Sequence, residues 1–363
     1  MDKCFGLVIF GIKASRRHLL PLTSIRNYSA QVKELIPQEF HNQKITKVAI
    51  IGVPNAGKST FINNLLNHRI CPTSSKVHTT RKSNKAITTI NDNQIVIFDT
   101  PGLVTSKEIK KHRLESSFSS SYRHAIQHAN MIGVIHDISN HWTRAALHPT
   151  VLETLNAYPK LPSFLVLNKI DMLKSKRILL ELVKTLTNNQ LSLKGRPQSR
   201  KKVPSEVDEG AKLEKEKEKA VAGWSNFSEV FMVSSITGNG LSDVLRFISN
   251  HGKPGKWEHS PDVFTDESPE NLIIESVRAR LLDYLPQEIP YNLKSRLEYY
   301  SDEKNAIYAC VEVTCPNPRI EKLLCGVSNG KLKQITERIT SDLVETFGKP
   351  ISLTIATVVS GNK

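Results

Sequence analysis

Short apolar runs recur along the middle of the chain at 47–52, 94–99, 131–137, 164–168 and 230–234, and none of them alternates with polar positions. Runs of this length without alternation predict strands buried on both faces. Helix-length amphipathic stretches such as 58–66 and 179–188 lie between them. Strand–helix alternation implies an α/β domain built on a mainly parallel sheet flanked by helices. Ligands of such a sheet bind beyond the carboxyl ends of its strands.

Beyond 270 the order changes. A helix over 272–285 is followed by strand-like runs at 293–300 and 306–314, a turn, a helix over 331–347 and a last strand over 351–359. Leu332, Ile335, Ile339, Leu343 and Phe347 recur at helical spacing, which supports the long helix. These elements predict a small α+β domain over 270–360 with its own core, following an α/β domain over 44–252. The Pro- and Gly-rich stretch 253–269 reads as the linker between them. Residues 194–222 interrupt the first domain. Charged side chains fill 15 of the 26 positions 194–219, too many to bury enough apolar surface to offset ordering, so a disordered insertion is expected. A nucleic-acid-binding arm through Arg200, Lys201 and Lys202 is the alternative.

Charge adds a partner class. The 363 residues carry a formal net charge of +15, which points to a polyanion, either nucleic acid or an anionic membrane surface. Part of the excess sits at the start, where Lys3, Lys13, Arg16, Arg17 and Arg26 stand among Ser15, Ser24 and Ser29 with Asp2 as the only acid before residue 33. A basic, serine-containing, acid-poor start has the composition of a mitochondrial transit peptide, here taken as 1–32. A plain basic arm, or a secretory signal built on the apolar residues 7–11, are its rivals. No apolar stretch approaches the roughly 20 residues that cross a bilayer. The five cysteines show no paired spacing and read as structural thiols in a reducing compartment.

Four motifs carry chemistry. Gly52-Val53-Pro54-Asn55-Ala56-Gly57-Lys58-Ser59 follows a predicted strand and opens a helix, with Thr60 next inside it. Its backbone amides can curl around phosphate oxygens, Lys58 places a charge at the β- and γ-phosphates, and the Ser59 hydroxyl suits Mg²⁺. Asp99-Thr100-Pro101-Gly102 closes a buried run, where the carboxylate completes the Mg²⁺ environment and the Gly102 amide can sense the γ-phosphate. Asn168-Lys169-Ile170-Asp171 follows another strand. A carboxylate at Asp171 accepts both the ring N–H and the amino group of guanine, a donor pair that adenine lacks. Ser234 and Ser235 stand where backbone would close over the guanine oxygen. Between the first two motifs, Thr79-Thr80-Arg81 lies in a basic loop, 71–85. Thr80, rather than Thr79, is expected to reach Mg²⁺ and the γ-phosphate. Lys58, Thr80 and Gly102 are the residues expected to act in catalysis, and Ser59, Thr80 and Asp99 to hold the metal. Leu103 occupies a position where many related enzymes place a water-orienting Gln, so slow intrinsic hydrolysis stimulated by a partner is expected. Asn55 could hold K⁺ against the phosphates.

With these motifs in place the sequence resembles the Era-type GTPases, specifically their mitochondrial form. The resemblance is carried by the first three motifs together with Leu103, by Thr79-Thr80-Arg81, by Glu288-Ile289-Pro290-Tyr291 and by the helix beginning near Lys331, and it spans about 44–360. It implies a P-loop GTPase domain followed by a KH-like domain. It further implies binding of GTP, GDP and small-subunit ribosomal RNA, and assistance to assembly of the mitochondrial small ribosomal subunit in the matrix, with peripheral inner-membrane contact and a monomeric state. A KH domain clamps single-stranded RNA with a G-x-x-G loop between helices. The matching residues here are Gly326, Val327, Ser328, Asn329, Gly330 and Lys331, with Lys333 beyond, and Asn329 stands in place of the second glycine. Asn tolerates a left-handed backbone, so the turn should survive. The rival functions are a membrane-associated regulatory GTPase, a tRNA-modification GTPase and an RNA-binding scaffold that senses GTP without hydrolysing it.

Overall fold

The computed structural model describes residues 43–74, 76, 83–104, 117–190 and 223–360. The expectations placed on 1–32, on Thr79, Thr80 and Arg81, and on 194–222 fall outside them.

The first sheet has strand order β2-β3-β1-β4-β5-β6, with β1 Lys44–Ile51, β2 Asn84–Ile90, β3 Asn93–Asp99, β4 Met131–Asp137, β5 Ser163–Asn168 and β6 Phe227–Val233. Only β2 runs antiparallel within that order, paired with β3 from Asn84↔Asp99 to Ile90↔Asn93. Every residue of β3 and of β5 is buried, as expected for strands covered on both faces. One cover is a core cluster that includes Ile126, Val151, Leu165 and Leu182. It takes in α2 Ser117–His128, α3 Pro149–Ala157 and α4 Ile178–Leu186. The other cluster includes Phe61, Ile62, Phe164 and Val244, and uses α1 Lys58–Leu66 and α5 Leu241–Asn250. The chain is thus a P-loop α/β fold.

Stretch 253–269 is no loose tether. β7 Lys253–Pro254 pairs antiparallel with β1, and Trp257 Nε1 donates to the carbonyls of Lys44 at 3.1 Å and Asp92 at 3.2 Å. The buried Gln94 amide accepts from Glu258 N at 2.9 Å and donates to His259 O at 2.8 Å. Ile87 N then donates to Phe264 O at 2.8 Å. Pro and Gly here end regular structure without removing partners, and the segment becomes a strap along the β2–β3 side of the sheet.

The second sheet has order β10-β9-β8, with β8 Lys294–Asp302, β9 Ile307–Cys315 and β10 Ile351–Val359. β9 pairs parallel with β10 and antiparallel with β8. Along most of β9, from Ile307 to Val313, buried residues alternate with more exposed ones, so one face packs and the other is open. The packed face takes α6 Pro269–Tyr284 and α8 Gly330–Phe347, whose Ile335, Ile339 and Leu343 are fully buried with Ile273, Val277 and Val311. A helix not expected from sequence, α7 Pro318–Cys325, fills the presumed turn. This mixed sheet with its helices is KH-like.

Charge joins the two sheets' domains. Asp342 of α8, 6% exposed, pairs with Arg280 of α6 and, at 3.1 Å, with Arg69 just after α1. Thr346 Oγ1 donates to Arg69 O at 2.8 Å. Removing one partner from such a buried set leaves an uncompensated charge.

Candidate nucleotide site

Parallel strands β1, β3, β4, β5 and β6 end at one edge of the first sheet, and the predicted motifs meet there. After β1 the phosphate loop turns through Asn55 at φ 59° and Gly57 at φ 91° before α1 begins. A Cβ on Gly57 would fall 2.5 Å from Asn168 Nδ2. Sign of φ and lack of space both require glycine there.

Asn168 is the centre of the construction. Its Nδ2 donates to Ala56 O in the phosphate loop at 2.8 Å. Its Oδ1 accepts from Ser235 N at 3.1 Å and Ser235 Oγ at 2.8 Å. One buried amide, 1% exposed, therefore fixes three sequence-distant loops. Asn64 Nδ2 adds a bond to Ser235 O. Ser234 is buried, with its Oγ accepting from Thr237 N at 3.2 Å. Lys169 adopts φ 66° and its ammonium meets Asp137 at 2.6 Å, which lays the lysine stem between two loops. Asp171 sits exposed in a single turn of 3-10 helix, Ile170–Met172.

On the phosphate side Lys58 is 7% exposed and donates to Gly52 O at 3.2 Å and Val53 O at 3.0 Å. Burial pulls its pKa down to about 8, partly countered by the nearby Asp99 carboxylate. Ser59 Oγ donates to Asp99 Oδ2 at 2.7 Å, and Asp99 is 1% exposed. A hydroxyl and a carboxylate converging this closely form an oxygen donor set that suits a hard divalent cation such as Mg²⁺. Thr100 Oγ1 donates to Ile50 O at 2.6 Å, and Leu103 N donates to Gly52 O at 2.9 Å, which ties the switch glycine segment to the phosphate loop. Leu103 itself is buried and offers no polar group. Pro54, Asn55, Ser59, Thr60 and Gly102 line an open cleft of about 450 Å³, and Pro72, Thr73, Ser74 and Lys76 form its other wall. Pro101 is buried, and Val53, within the phosphate loop, is half-buried.

The chain spans most of the length of its relatives. It is 33% identical over 369 residues to the mitochondrial GTPase Era of Salmo salar, covering 93% of this chain and 80% of that one. It is 34% identical over 332 residues to the mitochondrial GTPase Era of Danio rerio, covering 86% and 74%. The chain belongs to the mitochondrial Era GTPases. A family profile described as 50S ribosome-binding GTPase also matches residues 47–169, the segment that holds the first two motifs and the Asn168-Lys169 start of the third. An Era crystal structure in complex with MgGDPNP and nucleotides 1506–1542 of 16S ribosomal RNA shares this fold, with TM-score 0.65 and 22% identity over 88% of this chain and 95% of that chain. As an Era GTPase, the protein hydrolyses GTP.

Sequence reasoning missed several participants. Asp137 was visible only as a strand end. Asn64 lies on α1 without a motif of its own. Ser74 donates to Asp283 of α6 at 2.8 Å, and the Lys76 ammonium donates to the carbonyls of Leu285 and of Gln287 just past that helix. Partners some 209 residues away leave no local signal. The predicted RNA residues do lie together. Gly326 has φ 72°, Ser328 and Asn329 follow at φ 49° and 57°, and Gly330 opens α8. Val327 is 92% exposed. Lys331 is half-buried, while Lys333 is exposed and 4.0 Å from Glu337.

Proposed function

We propose that this GTPase acts in the mitochondrial matrix as a GTP-dependent switch that binds small-subunit ribosomal RNA and assists assembly of the mitochondrial small ribosomal subunit. The observation that carries it is the Asn168 amide, which draws phosphate-loop Ala56 and base-loop Ser235 into one pocket. The relatives' mitochondrial names and the Era crystal structure that holds a 16S ribosomal RNA fragment support compartment and partner.

In this reading 44–252 is the GTPase domain, 253–269 the strapped link, 270–360 the RNA-binding domain and 1–32 the import signal. Lys58 sits among the phosphate-loop amides to neutralise the β- and γ-phosphates, and its lowered pKa in the open cleft is restored by that negative charge. Ser59, Asp99 and Thr80 hold Mg²⁺, which supplies charge neutralisation at the phosphates. Asp171 selects guanine, Lys169 lies along the base, and Ser234 and Ser235 close over it. Gly102 reads the γ-phosphate. With Leu103 buried, no side chain at that position can polarise water, so turnover is slow until RNA, another partner or K⁺ beside Asn55 assists. The wall formed by Thr73, Ser74 and Lys76 also touches the end of α6. Ordering that wall on GTP then alters the RNA-binding domain, and by linkage RNA alters nucleotide affinity.

Nucleotide titration tests the pocket: GTP and GDP should bind far more tightly than ATP, and Asp171→Asn should abolish that preference. Equal ATP affinity overturns the reading. Crosslinking in isolated mitochondria, followed by sequencing, should recover small-subunit rRNA. Hydrolysis that is equally fast in sodium and potassium removes the role given to Asn55.

A further inference from the structure

Trp142 is 87% exposed, the most exposed aromatic side chain among the described residues. Its backbone, by contrast, is firmly held. Asn140 Oδ1 accepts from Trp142 N at 3.0 Å, and Asn140 O accepts from Arg144 N at 3.0 Å and Thr143 N at 3.3 Å. From beneath, His136 Nε2 donates to Arg144 O at 2.9 Å. Burial lowers the His136 pKa, against the pull of that carbonyl and of Asp137, so the ring is a neutral strut at physiological pH. The His141 ring meets Trp142 edge-on at 4.7 Å. An exposed indole on a pre-formed turn loses little freedom when something stacks on it.

The surroundings select the class of partner. The Trp142 turn follows β4, and the loop after the neighbouring β5 carries Lys174, Lys176 and Arg177, all exposed. The two loops are tied by the Lys169–Asp137 pair and by Ile138 N donating to Asn168 O at 3.2 Å. Among the described residues none of the side chains of Arg144, Lys174, Lys176 and Arg177 forms an ion pair. A presented aromatic ring on one loop and unpaired basic side chains on the loop after the neighbouring strand, which carries Asp171 as well, match single-stranded nucleic acid, whose bases stack while its phosphates take the charge. We infer that these two loops form an RNA-contact surface on the GTPase domain itself, apart from the Gly326–Lys331 loop, with Trp142 stacking on an unpaired base and Lys174, Lys176 and Arg177 meeting phosphates.

This inference rests on the RNA-binding reading above, and the experiment separates the two. Full-length protein is titrated with a single-stranded oligonucleotide from the 3′ end of small-subunit ribosomal RNA, following both affinity and tryptophan fluorescence. Trp257 is tied to backbone carbonyls and Trp224 packs against the core, so quenching on RNA addition reports Trp142. Trp142→Ala should weaken binding about 5- to 100-fold and remove the quench, while Trp142→Phe keeps most of the affinity. Lys174→Ala with Lys176→Ala and Arg177→Ala should flatten the salt dependence by about two units of slope. GTP affinity stays unchanged in all of them. Wild-type protein that ignores the RNA sinks the function and this surface together. Wild-type binding that Trp142→Ala leaves intact sinks the surface alone. Loss of binding to purified small subunits with RNA affinity unchanged assigns the surface to a protein partner and likewise overturns it.

Discussion

The nucleotide edge of the first sheet and the Gly326–Lys331 loop were both recognised by glycine-bearing motifs, yet they are built in opposite ways. At the nucleotide edge Lys58, Asp99, Asn168 and Ser235 are all nearly or fully buried, Asp99 held by Ser59, Lys58 by the carbonyls of Gly52 and Val53, and Asn168 by Ser235. In the loop, Val327 is 92% exposed and a Cβ on Gly330 would meet nothing within 4 Å. A site that must choose one base and grip phosphates needs fixed dipoles aimed in advance. A loop that lies against a polymer backbone needs close approach and little else. The same residue type therefore has different reasons in the two places, and substitutions expose them.

The largest effect belongs to Asn168. Asn168→Ala strands Ala56 O, Ser235 N and Ser235 Oγ without their partner, and a loss of about 3 kcal/mol in unfolding stability is expected from chemical denaturation. GTP affinity should fall about 100-fold, since both loops lose their common tie. A variant that keeps wild-type affinity would mean the loops hold themselves, and the contrast with the exposed Gly326–Lys331 loop would lose its basis.

Lys58 gives the second test. Its pKa is lowered from 10.5 to about 8 in the fold, so between those values the unfolded chain holds more protons and stability rises with pH. At pH 7 the buried charge costs on the order of 3 kcal/mol, offset in part by its bonds to Gly52 O and Val53 O. Nucleotide-free Lys58→Met should therefore be more stable than wild type at pH 7, by about 1–3 kcal/mol, with the gain fading towards pH 10, while GTP binding is lost. On the exposed face of α8, Lys333→Met should change stability by less than about 0.5 kcal/mol. Thermal melts of both variants across pH measure the difference.

Why one region was legible and other features were not follows from where their partners lie. The phosphate loop, the Asp99 strand end and Asn168-Lys169-Ile170-Asp171 are contiguous stretches after uninterrupted apolar runs, and β3 and β5 are buried at every position. β2 escaped notice because Asn84–Ile90 is an edge strand, only two of whose residues are buried, so its Lys and Thr positions hide the pattern. The prolines in Pro316-Asn317-Pro318 read as a turn. In fact Asn317 caps α7, accepting from Ile320 N at 3.0 Å, and Pro318 sits at its first turn, where a missing N–H costs nothing. The strap over 253–269 and the docking of Ser74 on α6 and of Lys76 just past its end depend on partners more than 150 residues away, which composition cannot reveal.

The smallest effect separates the two reasons for glycine inside the Gly326–Lys331 loop. Gly326 needs its freedom: φ is 72° and an added Cβ would lie 2.7 Å from Lys331 Cβ. Asn329 adopts φ 57° as an asparagine can, so the left-handed backbone at the motif's second glycine position survives without glycine. Gly330 has ordinary helical angles, φ −62° and ψ −36°. Gly330→Ala should accordingly stabilise the protein by about 0.5–1 kcal/mol by restricting the unfolded chain, with RNA affinity unchanged. Asn329→Gly should stay within about 0.5 kcal/mol of wild type, while Asn329→Val costs about 1–2 kcal/mol from its left-handed backbone. Denaturation curves and RNA titrations on the three variants give the answer. Should Gly330→Ala fold well yet weaken RNA binding as much as Gly326→Ala does, the bare backbone at 330 is where RNA approaches, and its glycine is kept for the partner rather than for the turn.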